Sequence, residues 1–140
     1  LYAESQLGWI PYIVQRIDQV WEDNQGWAQT KHIPEPPSTY YYRQIFGCFI
    51  NDAHGLKSLD EVGLDNILSE TDYPHSDSSW PDTKEIVSGL VAGLDDDAVR
   101  KILRGNAAAA LAEAQQAPTT YGTRDWSVAL ALQIGNDRAD

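Results

Sequence analysis

The order of apolar segments predicts an α/β chain in which parallel strands alternate with helices. Three observations carry that expectation. The stretch Gln44-Ile-Phe-Gly-Cys-Phe-Ile50 is almost wholly apolar, as befits a strand covered on both faces. Residues 66–72 form a second strand that must end near Tyr73, because Pro74 cannot donate to a ladder and disfavours helix before it. Between and after these runs, apolar residues recur at helical spacing, so the strands are joined by right-handed crossovers.

Residues 1–5 read as the tail of a further strand. A helix is expected from residue 10 to the high twenties. Pro11 suits its first turn, and Ile10, Ile13, Val14, Ile17, Val20 and Trp21 form one apolar stripe. Residues 32–37 hold three prolines and predict a loop, with a short helical turn at 38–43. Asn51-Asp52 ends the 44–50 strand. A second helix over 55–62 turns Leu56, Leu59 and Val62 inward and stops at Gly63.

Asp82-Thr-Lys-Glu85 reads as a capping box, and Ile86, Val87, Leu90, Val91 and Leu94 mark the third helix behind it. Asp95-Asp-Asp97 leads a fourth helix through Val99, Ile102 and Leu103 to Gly105. These acids favour the helix dipole and lack the ligand spacing of an EF-hand. Asn106 is expected to cap an alanine-rich helix over 107–114. Residues 1–114 thus form one unit and 115–140 a tail with an apolar patch at 126–134. Three strands alone leave two open edges, which soluble domains cover.

The 140 residues suffice for one modest core. The chain opens on Leu1-Tyr2 and contains no methionine, which suggests a piece of a longer protein. Its net charge of −11, from 21 acidic and 10 basic residues, argues against nucleic acid and anionic membranes as partners. A single cysteine, Cys48, excludes an internal disulfide and fits a reducing compartment. Its apolar setting predicts buried packing rather than a nucleophile. No apolar stretch approaches the ~20 residues of a membrane span and no signal peptide is visible, so a cytoplasmic setting is expected.

The segment Ile67-Leu-Ser-Glu-Thr-Asp-Tyr-Pro-His75 concentrates the chemistry. Alternation puts Leu68, Glu70 and Asp72 on one face and Ile67, Ser69 and Thr71 on the other. Asp72 then stands at the carboxyl end of a strand, where parallel α/β architectures place their sites. The plainer alternative is an aspartate capping the next loop. Glu70, one layer deeper, is expected to be buried and so to need a hydrogen-bond partner or a proton. His75 could bond a substrate or a metal ligand, or make a structural contact. His32 and His54 carry no signal beyond solvent exposure. Five tryptophans invite a sugar-stacking idea, but Trp21 lies on the apolar stripe and Trp9 and Trp80 flank prolines, so core or loop packing is expected of these three.

Taken in order, several segments resemble the amidohydrolase-related metal enzymes, the group that includes aminocarboxymuconate-semialdehyde decarboxylase. They are Tyr2-Ala-Glu4, Gly8-Trp-Ile-Pro11 with Arg16, Cys48-Phe-Ile-Asn-Asp52, Gly63-Leu-Asp-Asn-Ile67, Glu70-Thr-Asp-Tyr-Pro-His-Ser-Asp77 and Arg104-Gly-Asn-Ala107. The resemblance covers about residues 1–114. It implies the last three strand–helix units of a (β/α)8 TIM-type barrel, a fold of about 250 residues when whole. It also implies a divalent metal, commonly zinc, with Asp72 as the ligand from the eighth strand and the histidine ligands upstream of this chain. Such an ion lowers the pKa of a coordinated water toward ~7 for hydrolysis or decarboxylation of a small organic substrate.

Two further positions follow from the resemblance. Glu4 stands where the decarboxylase has a histidine acting on that water, a departure: Glu could serve as a general base, and could equally bind substrate or pair with a residue upstream of this chain. Arg16 matches an arginine that reaches a substrate carboxylate in the neighbouring subunit, which allows a homodimer. A surface arginine paired with Asp18 or Glu22 is the alternative. With one carboxylate of the metal shell present, the isolated segment is expected to bind metal poorly and to be inactive. The competing reading is a non-catalytic interaction domain on the same scaffold, its metal site lost.

Overall fold

A computed structural model describes residues 1–25 and 32–116. Helix α1, Ile10–Asn24, begins with Pro11 in its first turn, and α2, Pro37–Gln44, follows the proline-rich loop. Strand β1, Gly47–Phe49, leads through a 3-10 turn, Gly55–Ser58, into the short helix α3, Leu59–Val62. Strand β2, Ile67–Ser69, is followed by α4, Thr83–Leu90. Helix α5, Asp96–Arg100, passes through a π-helical turn, Lys101–Gly105, into α6, Asn106–Gln116.

The strands pair in parallel, with Gly47 beside Ile67, Cys48 beside Leu68 and Phe49 beside Ser69. The expected first strand is reduced to one bridge, Tyr2 beside Gly47, made by Tyr2 N–H to Phe46 O and Cys48 N–H to Tyr2 O, both 2.9 Å. It goes no further because Glu4 and Gln6 both take φ of +55°, which ends an extended run. All three residues of β1 are buried, as an apolar run between two layers requires. Leu7, Ile10, Phe49, Val62, Ile67 and Ile102 are completely or almost completely buried around this sheet.

The loops at the carboxyl ends of the strands are knotted by Asp52. Its Oδ2 accepts from Leu7 N–H at 2.6 Å and Gly8 N–H at 2.8 Å, and its Oδ1 from Gly55 N–H at 2.8 Å. Burial pushes this carboxyl up, but the three N–H groups and nearby His54 outweigh it and hold the group below its ordinary value. The knot is tight. A Cβ on Gly55 would stand 2.5 Å from Leu7 Cβ and 2.9 Å from Gly8 N. Only glycine lets the two loops approach so closely.

Several local expectations are corrected. Asp82 makes no side-chain cap to α4, since its φ of −91° and ψ of 14° are not the extended geometry a cap needs, and Thr83 Oγ1 instead meets Ser79 Oγ at 2.9 Å. Asn106 caps nothing. The helix runs straight through Gly105, and Asn106 Nδ2–H groups donate to Leu64 O and Ile67 O, both at 2.8 Å, tying the helix to the start of β2. Asp95 is the real cap, accepting from Ala98 N–H at 2.8 Å.

On α1, Ile10 and Val14 are buried while Ile13 and Val20 of the same stripe stay exposed. Ile13 borders a cavity of about 470 Å³ between α1, α2 and β1. Trp9 and Trp80 are exposed and pack in loops rather than in the core, Trp9 edge-on to Tyr2 and Trp80 edge-on to Tyr73. Trp21 is half-buried, its Nε1–H donating to Ile33 O at 3.0 Å. Trp27, Trp126 and the expected reach of α1 into the high twenties lie outside the described residues, as does the tail from 117 onward. Among the described residues, no helix is long and apolar enough to cross a membrane.

Candidate metal centre

The loop after β2 is built to present two side chains outward. Glu70 N–H donates to Phe49 O at 3.0 Å, the last parallel contact. Thr71 O then accepts from Ser78 Oγ at 2.7 Å and Ser79 N–H at 3.1 Å, which closes residues 72–77 into a compact excursion. Inside it His75 N–H donates to Asp72 O at 2.8 Å and Ser78 N–H to His75 O at 3.2 Å. The Tyr73–Pro74 bond within this excursion is cis.

Asp72 does not continue the strand alternation. β2 ends at Ser69, and Asp72 takes φ of +55°, so the shared face expected for Leu68, Glu70 and Asp72 stops at Glu70. The left-handed turn folds His75 back onto it. His75 Nδ1 lies 2.8 Å from Asp72 Oδ1. A carboxylate oxygen accepts, so the ring carries its proton on Nδ1.

Glu4 joins this pair from the other end of the chain. Ligand atoms of Glu4, Asp72 and His75 all lie within 4.8 Å of one another. Two carboxylates and one imidazole are the oxygen and nitrogen donors a divalent ion such as zinc takes at about 2.0–2.2 Å, and three protein donors leave a position open. The residues present therefore fit a metal, with three donors where the sequence suggested one. Two of the three, Glu4 and Asp72, are left-handed non-glycine residues, and backbone strain of this kind gathers at functional sites.

Beneath them lies Glu70, 4% exposed as its position predicts. The partner that sequence could not supply is the backbone of Glu4, whose N–H donates to Glu70 Oε1. Burial pushes the Glu70 carboxyl up; the charges of Asp72 and Glu4 add to this, while the Glu4 N–H and the Cys48 thiol oppose it. Cys48 is fully buried, and burial together with neighbouring Glu70 pushes its thiol up to about 12, which rules out a thiolate nucleophile near neutrality.

Arg16 is not gathered into this cluster. It is exposed on α1, its guanidinium 3.4 Å from Gln19 Oε1, and it pairs with neither Asp18 nor Glu22. Asp18 instead accepts from Ser38 N–H at 2.8 Å and holds the start of α2.

A family model for amidohydrolases matches residues 2–112, most of the chain and every residue of the cluster. The chain belongs to the amidohydrolase family. No curated protein matches it as a relative. Membership makes this a hydrolase-like enzyme domain for small-molecule substrates, from a family that commonly binds a divalent metal.

Proposed function

We propose that this chain is the carboxyl-terminal portion of a metal-dependent amidohydrolase-like enzyme that hydrolyses or decarboxylates a small organic substrate, carboxylates included. Residues 1–114 contribute the last three strand–helix units of a (β/α)8 barrel, with a resemblance to aminocarboxymuconate-semialdehyde decarboxylase. The observation that carries the reading is the convergence of Glu4, Asp72 and His75 within 4.8 Å at the carboxyl ends of parallel strands. A barrel enzyme keeps its chemistry at that end.

Asp72, with Glu4 and His75 beside it, holds a divalent ion, zinc being the best match to two oxygens and one nitrogen. When bound, such an ion supplies Lewis acidity that brings a coordinated water toward a pKa of ~7. Asp72 is the ligand kept in place by its short side chain and its bond to His75. Glu4, exposed at the opening, would hold the ion through one carboxylate oxygen and leave the other as general base, taking the proton from the attacking water and returning it to the leaving group. His75, 64% exposed in its side chain and held to Asp72 through Nδ1, keeps its other ring nitrogen for the ion or for a substrate contact. Arg16 offers a two-pronged contact to a substrate carboxylate across a homodimer, and its exposure on α1 supports that use.

The test is Asp72→Asn, which keeps shape and removes charge. In the intact enzyme, zinc affinity and turnover should fall together, each by at least about tenfold. Turnover equal to the parent's would make Asp72 a loop cap. Absence of zinc binding in the unaltered parent would favour the non-catalytic scaffold instead.

A further inference from the structure

A buried carboxylate needs a reason, because an apolar residue would fill the same space without the cost of losing water. Glu70 sits between β1 and the excursion after β2 at 4% exposure, where a leucine or methionine could pack. Among the described residues, the hydrogen-bonding neighbours of its carboxyl group are the Glu4 N–H and the Cys48 thiol. The Glu4 bond spans 66 residues of sequence and ties the amino-terminal turn to the end of β2.

Glu4 needs a reason too. Its φ of +55° is a conformation that side-chain-bearing residues avoid unless the surroundings impose it. The single bridge of Tyr2 to β1 ends two residues earlier, so the sheet does not impose it. The Glu70 carboxylate does, since a left-handed Glu4 turns its N–H down to Glu70 while its side chain rises toward Asp72 and His75.

We propose that Glu70 is a positioning residue for the metal centre. It pins the left-handed backbone of Glu4 and so keeps the Glu4 carboxylate in the cluster with Asp72 and His75. This rests on the reading above that Glu4 belongs to the metal centre.

The experiment uses the intact parent enzyme and four variants of it: Glu70→Gln, Glu70→Met, Glu4→Ala and the double variant Glu4→Ala with Glu70→Met. Two readouts are taken: hydrogen exchange at the Glu4 amide by NMR, and zinc affinity by calorimetric titration with zinc chloride alone. In Glu70→Met the Glu4 amide should lose protection at least about tenfold, while the Cys48 and Glu70 amides, bonded to Tyr2 O and Phe49 O, keep theirs. Zinc affinity should fall about tenfold with it. Glu70→Gln, which retains an accepting oxygen, should restore most of both.

The double variant should bind zinc no more weakly than Glu4→Ala alone, since Glu70 acts only through Glu4. Unchanged Glu4 protection in Glu70→Met, or zinc losses that add in the double variant, would overturn the proposal. Unchanged zinc affinity in Glu4→Ala would overturn it differently, by removing Glu4 from the metal centre. The amide readout separates the two failures, because it reports the Glu70 bond whether or not zinc depends on Glu4. If Glu70→Met does not fold, Glu70→Leu is read the same way.

Discussion

His75 is braced twice against Asp72, through Nδ1–H to Oδ1 and through its backbone N–H to the Asp72 carbonyl, each at 2.8 Å. The Asp72 side chain keeps 10% of its surface exposed and that of His75 keeps 64%, so the imidazole lies over the carboxylate from the solvent side. One Asp72 oxygen is thereby fixed. The other is left for a ligand.

This bracing separates two uses of the histidine. If orientation of Asp72 is its contribution, His75→Asn should retain most zinc affinity, because the Asn amide can donate much as Nδ1–H does. His75→Ala should lose 10–100-fold, as removal of an orienting partner does. Calorimetric titration of both variants with zinc is the check. Equal losses would make the ring itself a ligand.

Asp52 contributes to stability by tying two loops together. Asp52→Ala leaves three N–H groups without their charged acceptor and should cost about 3 kcal/mol, lowering Tm by roughly 10 °C. The acid limb follows from the lowered pKa. The Asp52 contribution is present above its ordinary value of 3.8 and is lost as pH falls through the depressed folded value. Asp52→Asn should therefore flatten the fall of Tm below pH 4, measured by calorimetry.

Asn106 gives a sharper contrast. Its two donors face two carbonyl oxygens, so Asn106→Asp presents acceptors to acceptors in a buried place. We expect a loss of about 3–5 kcal/mol for Asp and about 2 kcal/mol for Ala, read as urea midpoints at constant slope.

Cys48 controls part of the alkaline limb. Burial, with Glu70 adding to it, raises its folded value to about 12 from 9.0, so its contribution is complete below pH 9 and declines as pH rises toward 12. Cys48→Val should lessen the drop in Tm between pH 9 and 11. The native thiol should also resist alkylation at pH 8 until denaturant is added.

Much of the fold was legible because periodicity reports burial. The buried Ile10 and Val14 of α1 and the apolar run of β1 are direct consequences of the sequence pattern, while β2 stops at Ser69, short of the expected end near Tyr73. Asp72, Glu4 and His75 were also within reach as candidates, but not their meeting. That depends on left-handed turns at Glu4 and Asp72, and nothing in an acidic residue announces a positive φ. The Asp82 cap failed because backbone geometry, which residue type does not announce, keeps its carboxylate from its own helix. The Asn106 cap failed because the same side-chain amide donates instead to distant carbonyls. Asp52 escaped notice because its three partners are backbone groups, which carry no residue signature.

The knot at Asp52 also limits how this scaffold could be re-engineered. One side chain joins the entry to the first crossover helix with the exit from the following strand, so neither connection is an independent cassette. Grafting a new substrate loop at either place would have to carry its mate along, together with the glycine that allows their close approach.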